Sequence, residues 1–411
     1  MSLPMRLRLW ILILALVTFS SGLAAQNIAV IAETLHTGQG QSHSPGVVVI
    51  EDGIISAVGS ADSIAIPDGM ERIEVPVATP GLIDGRSVVG LAGAKNQPHD
   101  QDQLERSDAM QPELRAIDAY NPRERLVGWL REHGVTTIHT GHGPGEIISG
   151  QTLIAKTTGG TVDEAVVQPV FAVSATLGDA STRGHSRSSP GSRSKSVAML
   201  RQQLIRAVEY RDARENADNG SGPSRDLGLE TLVEVLEGKL PLIVEVHRHN
   251  DIMTTLRLAE EFGFRLILSG VSDAHLLIDE IKAAEVPVLI HPTMLRARGP
   301  DYQNFSFTTA VRLLDAGIPV ALQSGYEGYV PKTRVVLFEA AMTLPYGASF
   351  DQALQLITMG PAEILGVADR VGSLEVGKDG DVALFDGDPF EYTTRVLGTV
   401  IGGVRVSDNP R

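Results

Sequence analysis

Eight short apolar segments along residues 80–325 constrain the fold more than any other feature of this sequence. They alternate with amphipathic patterns such as DIMTTLRLAEEFG, in which apolar residues recur at three- and four-residue steps. The segments are PGLID (80–84), GVTTIHT (134–140), QTLIAKT (151–157), PVFAVSAT (169–176), LPLIVEVH (240–247), RLILSG (265–270), VPVLIHP (286–292) and IPVALQSG (318–325). Strands that alternate with helices in this way predict an α/β fold with a (β/α)₈ barrel over residues 80–368.

The regions on both sides of the predicted barrel, residues 26–79 and 369–411, read as short strands. GVVVIEDGIISAVG at 46–59 contains two apolar runs separated by a tight Asp-Gly turn. The tail from residue 372 to 406 is similarly rich in β-branched residues. We expect the two regions to form one small composite β-sandwich into which the barrel is inserted.

One segment interrupts the alternation of strands and helices. Residues 178–196 are rich in Ser, Arg and Gly and lack apolar periodicity. A polar loop is therefore predicted here, and the sequence assigns it no role.

The first 25 residues have the layout of a secretory signal peptide. Arg6 and Arg8 precede an apolar run at 9–19, and small residues follow at 20–25. The run is shorter than the roughly 20 apolar residues that span a bilayer. We therefore expect a cleaved signal, a periplasmic or secreted protein and no stable membrane insertion. The chain has no cysteine, so disulfides and thiolate chemistry are excluded.

The charge of the chain limits its partners. The formal net charge is −15, and an acidic surface repels the phosphate backbone of nucleic acids. A small-molecule amide or peptide ligand is the partner we expect. A homo-oligomer or a pairing with an intact paralogue stays open.

Three motifs carry a resemblance to a known family: TPGLIDG (79–85), TMGPAEILG (358–366) and VGSLEVGKDGDVALFDGDP (371–389). The chain resembles the amidohydrolase superfamily, in particular its imidazolonepropionase-like and Xaa-Pro dipeptidase-like branch. The resemblance implies a distorted (β/α)₈ TIM barrel with a composite β-sandwich. It also implies hydrolysis of C–N bonds in amides, cyclic amides or dipeptides, with one or two divalent metal ions, commonly zinc.

The same resemblance implies a set of metal ligands that this sequence mostly lacks. Histidines are implied at positions 86 and 88, but the sequence has Arg86 and Val88. His247 matches the histidine of strand 5, whereas Ser269-Gly270 and Ser324-Gly325 occupy the ends of strands 6 and 8. Two unit charges 4 Å apart repel by about 4 kcal/mol at an effective dielectric constant near 20, and a metal ion carries two. We therefore predict a degenerate metal site, with the binuclear centre lost.

Three interpretations of the remaining residues stay open. The first is a relocated mononuclear zinc site formed by His139, His247 and His291 with one water. The second is metal-free hydrolysis by a catalytic set of His247, Arg86 and Lys156, in which a histidine is the base and a cation stabilises the oxyanion. In the third, the histidines are only structural. The sequence favours a hydrolase, and the alternative is a pseudoenzyme that acts as a ligand-binding or scaffold protein.

Overall fold

The computed structural model describes residues 27–95, 97–182, 188–217, 222–297, 299–326 and 334–411. The predicted signal peptide and residues 183–187 of the Ser/Arg-rich segment lie outside these ranges. Within them, no helix has both the length and the apolar character needed to cross a membrane.

The chain begins with strands of a terminal sheet. These strands are β1 (Ile28–His36), β2 (Ser42–His43), β3 (Gly46–Glu51), β4 (Ile54–Ser60) and β5 (Glu71–Pro80). The turn between β3 and β4 has φ of 51° at Asp52 and 84° at Gly53, as a two-residue hairpin of this hand requires. The predicted Asp-Gly turn is thus confirmed.

A second sheet of eight strands forms the barrel. Its strands are β6 (Leu82–Ser87), β7 (Val135–Gly141), β8 (Ile148–Lys156), β9 (Val166–Thr176), β10 (Leu242–Val246), β11 (Leu266–Gly270), β12 (Val288–Ile290) and β13 (Val320–Leu322). They are adjacent in chain order. Beyond the end of β13, the Gly325 amide donates to the Arg86 carbonyl at 2.9 Å, which brings the last strand against the first.

The barrel departs from an all-parallel arrangement at one strand. β8 is antiparallel to both β7 and β9, whereas the other neighbouring pairs are parallel. Only residues 142–147 connect β7 to β8, and a parallel crossover needs a dozen or more residues. β8 therefore starts at the end of the barrel where the parallel strands finish, and it finishes where they start.

The chain ends by returning to the terminal sheet with β14 (Val382–Phe385), β15 (Val396–Ile401) and β16 (Val404–Ser407). β5 pairs in parallel with β1 on one side and antiparallel with β14 on the other. Both ends of the chain therefore contribute to one sheet, with the barrel between them in sequence. The predicted α/β class, a distorted eight-stranded barrel with a separate terminal sheet, is confirmed.

Helices surround the barrel. They are α1 (Arg125–Glu132), α2 (Val162–Ala165), α3 (Asp179–Thr182), α4 (Arg193–Glu215), α5 (Leu227–Leu236), α6 (His249–Phe262), α7 (Ile278–Ala283), α8 (Thr309–Asp315), α9 (Val336–Ala341), α10 (Phe350–Gln355) and α11 (Met359–Ile364). Sequence signals fix several of their ends. α6 stops at Gly263, which adopts φ of 72° as a left-handed cap, and Ser349 with Gln352 forms a capping box at α10.

The barrel interior has an apolar layer and a polar layer. The apolar layer includes Ile83, Ala172, Ile243, Ile267, Leu289 and Ala321. Side chains alternate along a strand, so residues two positions further on point to the same interior. Except on β6, where Gly85 follows, those residues are polar: Ser174, Glu245, Ser269, His291 and Gln323. This polar layer lies toward the C-terminal ends of the parallel strands, where barrel enzymes place their active sites.

Candidate active site

A cavity of about 360 Å³ opens at the C-terminal ends of the parallel strands. Its walls include Arg86 on β6, Val88 after β6, Glu245 on β10, His247 after β10 and His291 after β12. The volume is in the range of sites for small molecules and too small for a folded partner. The cavity is therefore the candidate active site.

Glu245 is a buried carboxylate whose two oxygens are both bound by neighbouring side chains. Its Oε1 accepts from His247 Nε2 at 3.2 Å, and its Oε2 accepts from the Ser269 hydroxyl at 2.6 Å. Burial alone would raise its pKa, but His247, Arg86 and Ser269 together lower the pKa to about 2. Glu245 is thus a fixed negative charge and not a proton acceptor near neutral pH.

His247 is held on both ring nitrogens. Nε2 donates to Glu245, because a carboxylate only accepts, and Nδ1 is 3.0 Å from the Ser272 hydroxyl. The ring also packs against Tyr302 with centroids 4.4 Å apart. His247 therefore lines the cavity, but both nitrogens of its ring are bound within the protein.

His291 differs because one of its ring nitrogens has no partner. Its Nδ1 lies 2.8 Å from the Pro292 carbonyl, so this nitrogen carries the hydrogen of the neutral ring. The lone pair is then on Nε2, which is buried and makes no hydrogen bond. Burial lowers the pKa of His291 to about 4, so the ring is neutral at pH 7. A neutral imidazole with an unused lone pair can accept a proton.

Arg86 places a guanidinium at the same cavity. The side chain is 3% exposed, and its Nη2 donates to the Ser174 hydroxyl at 2.5 Å and to the His142 carbonyl at 3.4 Å. Its Nη1 is buried without a hydrogen bond. Burial lowers the pKa of Arg86 and Glu245 opposes that change. A buried donor without a partner is uncommon and indicates a position that a ligand oxygen can occupy.

Asp84 supports Arg86 from behind and joins the first strand to the last. Its Oδ1 accepts from the Arg86 and Ser324 amides at 3.2 and 3.0 Å, and its Oδ2 accepts from the Ser324 hydroxyl at 2.5 Å. Complete burial raises its pKa to about 7. Ser324, which occupies the strand 8 position of the implied metal ligand, therefore serves to close the barrel.

His139 does not join His247 and His291 in the cavity. Its Nδ1 donates to the Gly85 carbonyl at 2.7 Å, and its Nε2 accepts from the Thr152 hydroxyl at 2.8 Å. The ring packs edge-on against Phe171, and burial lowers its pKa to about 3. His139 therefore binds β6, β7 and β8 to each other, and the geometry predicted for a three-histidine zinc site is not found.

Lys156 is also not where we predicted it. It ends β8, and because β8 runs antiparallel, that end lies opposite the cavity. Its Nζ forms ion pairs with Asp379 at 2.9 Å and Asp381 at 2.6 Å, in the segment leading into β14. Lys156 therefore connects the barrel to the terminal sheet and cannot stabilise an oxyanion in the cavity.

The donor set at the strand ends does not fit the metal centre that the resemblance implies. Val88 offers no donor atom, Arg86 brings a cation, and Ser269 receives a hydrogen bond from Gln323 at 3.1 Å while donating to Glu245. Across the described ranges, no group of three or more His, Asp or Glu side chains is placed to hold a metal ion.

Sequence reasoning missed four residues of the polar layer: Ser174, Glu245, Ser269 as a hydrogen-bonding residue, and Gln323. A signal was present for two of them, because Glu245 and Gln323 are polar residues within otherwise apolar strands. Alternation from the inward Ile243 and Ala321 places both side chains inside the barrel.

Comparisons with known proteins agree with the fold. The sequence model of the amidohydrolase family matches residues 232–407. An imidazolonepropionase from Porphyromonas gingivalis is 24% identical, over 91% of this chain and 92% of its own length. The amidohydrolase tasK from Hapsidospora irregularis is 23% identical over 92% of this chain, which spans only 41% of tasK.

A solved structure resembles nearly the whole described fold. The crystal structure of an amidohydrolase from Thermotoga maritima MSB8 has a TM-score of 0.87 at 26% identity and covers 93% of this chain and 100% of its own. Together with the family match over residues 232–407 and the barrel with its terminal sheet, this likeness makes the chain similar to the amidohydrolase superfamily, a group of hydrolases that act on carbon–nitrogen bonds.

Proposed function

We propose that this protein hydrolyses a C–N bond of a small amide, cyclic amide or dipeptide in the barrel cavity, without a metal ion. One observation carries the proposal. Two side chains that line one cavity each have a buried nitrogen without a partner: His291 Nε2 is a neutral acceptor and Arg86 Nη1 is a cationic donor. General base catalysis and oxyanion stabilisation need this pair of groups.

The reaction follows from these two groups. His291 Nε2 takes a proton from water, and the water oxygen attacks the substrate carbonyl carbon. Arg86 Nη1 donates to the oxygen of the resulting tetrahedral intermediate. The C–N bond then breaks, and protonated His291 returns its proton to the leaving nitrogen. Atoms and charge balance without any further reactant.

Absence of a metal ion in this proposal rests on the donors. A dication at the usual position would lie beside the Arg86 guanidinium, and Glu245 and Ser269 are already bound to other side chains. The carboxylate of Glu245 balances Arg86 electrostatically. The opposite charges of Arg86 and Glu245 thus support the cavity in place of a metal centre.

The size of the cavity and the names of the relatives support the substrate class. A cavity of about 360 Å³ encloses a small molecule. Imidazolonepropionases are named for an imidazolone ring, which is a cyclic amide, carrying a propionate group. A neutral or anionic amide of similar size would place its carbonyl oxygen at Arg86.

Ligand binding without catalysis is the second candidate function. It is favoured by the internal bonds of Glu245, Ser269 and Gln323, which leave no free carboxylate in this group of residues. Binding of an amide without turnover would distinguish this function from hydrolysis.

We further propose that the protein is exported. The basic, apolar and small-residue order of residues 1–25 supports removal of this segment.

Turnover of a panel of N-acyl amino acids, cyclic amides and dipeptides by purified protein tests the hydrolase proposal. For a substrate that is turned over, His291→Gln should lower kcat/KM by about 10²–10⁴. Arg86→Gln should lower it by about 10²–10³. Addition of a strong chelator should leave the rate unchanged.

Two matched controls separate catalysis from folding. His133 is also a buried histidine whose Nδ1 contacts a backbone carbonyl, but it lies after α1, outside the cavity. Arg131 also has a buried nitrogen without a hydrogen bond. His133→Gln and Arg131→Gln should therefore retain kcat/KM. Equal losses in variants and controls, or a rate that disappears with the chelator, would contradict the proposal.

A further inference from the structure

Arg193 lies within the Ser/Arg-rich segment at residues 178–196. It connects α4, α6 and a short turn at Pro300–Tyr302, none of which takes part in the proposed reaction. Its Nε donates to Asp251 Oδ2 at 3.0 Å, in the first turn of α6. Its Nη2 donates to Asp301 Oδ1 at 2.6 Å, in the short 3-10 turn Pro300–Tyr302. Arg193 itself is the first residue of α4.

The turn that Arg193 holds carries one wall of the cavity. Asp301 immediately precedes Tyr302, and Tyr302 both lines the cavity and packs on the ring of His247. The second oxygen of Asp301 accepts from the Asp179 amide at 2.8 Å. Asp301 thus binds the turn to Arg193 and to the Asp179 amide, and the turn places the Tyr302 ring against His247.

The two carboxylates need the guanidinium between them. Asp251 and Asp301 have side chains 8% exposed, so solvent screens their repulsion poorly. The planar guanidinium binds both at once, which a single ammonium group cannot do with the same geometry. Loss of Arg193 would leave two buried negative charges facing each other, and their repulsion would act to separate the turn from α6.

We propose that Arg193 is a positioning residue: it holds the Pro300–Tyr302 turn against α6 and so keeps Tyr302 packed on His247 at the cavity wall. This role gives a function to a segment whose composition alone indicated only a polar loop. Its importance for turnover rests on the proposed hydrolysis, but the contact between Tyr302 and His247 can be measured without any substrate.

Nuclear magnetic resonance of the full chain labelled at histidine provides the test. The ring of Tyr302 shifts the Cε1–H resonance of His247, which is assigned by its loss in His247→Gln. Tyr302→Leu gives the position without this ring. Arg193→Gln should move the resonance most of the way to the Tyr302→Leu position, and Arg193→Lys should move it less.

Arg201→Gln is the matched control. Arg201 lies on the same helix, α4, and pairs with Glu261 on the same partner helix, α6, but it does not contact the turn. This variant should leave the His247 resonance in place. The His36 resonance, whose ring packs on Phe350 at 4.4 Å, reports whether the fold is intact.

Two results would overturn the proposal: an unmoved His247 resonance in Arg193→Gln, or an equal movement in Arg201→Gln. If Arg193→Gln fails to fold, Asp301→Asn removes only the charge on the turn. It should move the resonance in the same direction, and no movement there would also overturn the proposal. A protein that turns over no substrate but shows these shifts would contradict the hydrolysis and leave the positioning role intact.

Discussion

Arg86 and Val88 stand at the end of β6, where the superfamily resemblance implies two imidazoles. Arg86 is not an exposed replacement but a buried cation with bonds to Ser174 and the His142 carbonyl. Glu245 provides the opposite charge across the barrel. The guanidinium at the end of β6 is therefore matched by Ser174 and Glu245 on other strands. Substitutions at β6 alone should not recover a metal centre.

Introducing histidines at positions 86 and 88 tests whether metal binding depends on residues at several strand ends together. We expect Arg86→His with Val88→His to hold no stoichiometric zinc after dialysis and to gain no metal-dependent turnover. Ser269 on β11 and Gln323 after β13, the inward-facing residues at the ends of strands 6 and 8, still supply neither an imidazole nor a carboxylate, and both ring nitrogens of His247 are already bound by Glu245 and Ser272. Elemental analysis of the purified variant gives the metal content.

The control for this prediction adds Ser269→His and Gln323→Asp to the same variant. Zinc should be retained only in this fourfold variant. One or more zinc ions per chain in the twofold variant would contradict this dependence on several strand ends.

Asp84 predicts an unusual dependence of stability on pH. Its pKa is raised to about 7 in the folded protein, above the ordinary value of 3.8, so between these values the folded state holds a proton that the unfolded state releases. This term makes the free energy of unfolding increase as the pH falls. His139 and His291 act in the opposite sense, since burial lowers their pKa values to about 3 and about 4 from 6.5.

Replacement of Asp84 by Asn should therefore expose the histidine effect. Between pH 6.5 and 4.5 the variant should lose stability on acidification more steeply than the parent, by about 1.4 kcal/mol per pH unit. Urea unfolding at three pH values in this window measures both slopes. Parallel slopes for parent and variant would show that Asp84 does not hold a proton in the folded state.

The candidate site was only partly accessible from the sequence. His247 and His291 were identified because they stand at the ends of apolar strands, and Arg86 was identified through the family resemblance. The structure places all three at one cavity. His139 looked equivalent by the same rule, but its ring is used within the sheet, and nothing local in the sequence distinguishes the two situations. Which nitrogen is free depends on contacts from distant segments.

At the scale of elements, β8 is the part that the sequence described least well. Its apolar pattern predicted a strand correctly, but an alternating pattern has no direction and reads the same for a parallel or an antiparallel neighbour. The informative signal was the length of the connection, since residues 142–147 leave no room for a crossover helix. The reversed strand moved Lys156 from the cavity to the opposite end.

Lys156→Met should destabilise the joint between the barrel and the terminal sheet. The substitution leaves the buried Asp381 without its cation, while Asp379 keeps Arg370 at 3.0 Å. We expect a loss of about 3 kcal/mol in the free energy of unfolding, as for other broken buried pairs. Denaturant unfolding provides the value, and any turnover found for the protein should keep its KM.

Lys239→Met is the comparison for this joint. Lys239 pairs with Glu237 at 2.6 Å, but its side chain is 66% exposed, so solvent competes for both groups. This variant should unfold at the parental denaturant concentration. A similar loss in the two variants would mean that the pairs of Lys156 are not a special feature of the joint.

At the scale of the whole molecule, the barrel and the terminal sheet followed from the sequence because strand and helix periodicities are repeated many times. Each repeat agrees with the others, so an error in one strand does not change the fold class. A shared sheet of the two terminal regions was also expected, and β5 pairs with β14 within it. The order of strands within the sheet was not predictable from local patterns.

Export of the whole chain can be tested in a bacterial host. We expect the protein to accumulate in the periplasm with a mature N-terminus at residue 25 or 26, because small residues at 20–25 follow the apolar run. Mass spectrometry of the intact protein locates the cleavage. Leu12→Asp combined with Leu14→Asp interrupts the apolar run and should retain the full-length chain in the cytoplasm. Unchanged export of that variant would contradict a signal function.

The shared terminal sheet ties the first strands of the chain to the last ones. Val77 pairs with Phe385 and Pro80 with Val382, so β5 has no partner on that side until the ribosome has finished nearly the entire polypeptide. An unpaired strand edge invites association with other chains. A chain truncated anywhere in the barrel would therefore expose the edge of β5 and be prone to aggregate. In the full chain, the long sequence separation between β5 and β14 should slow folding.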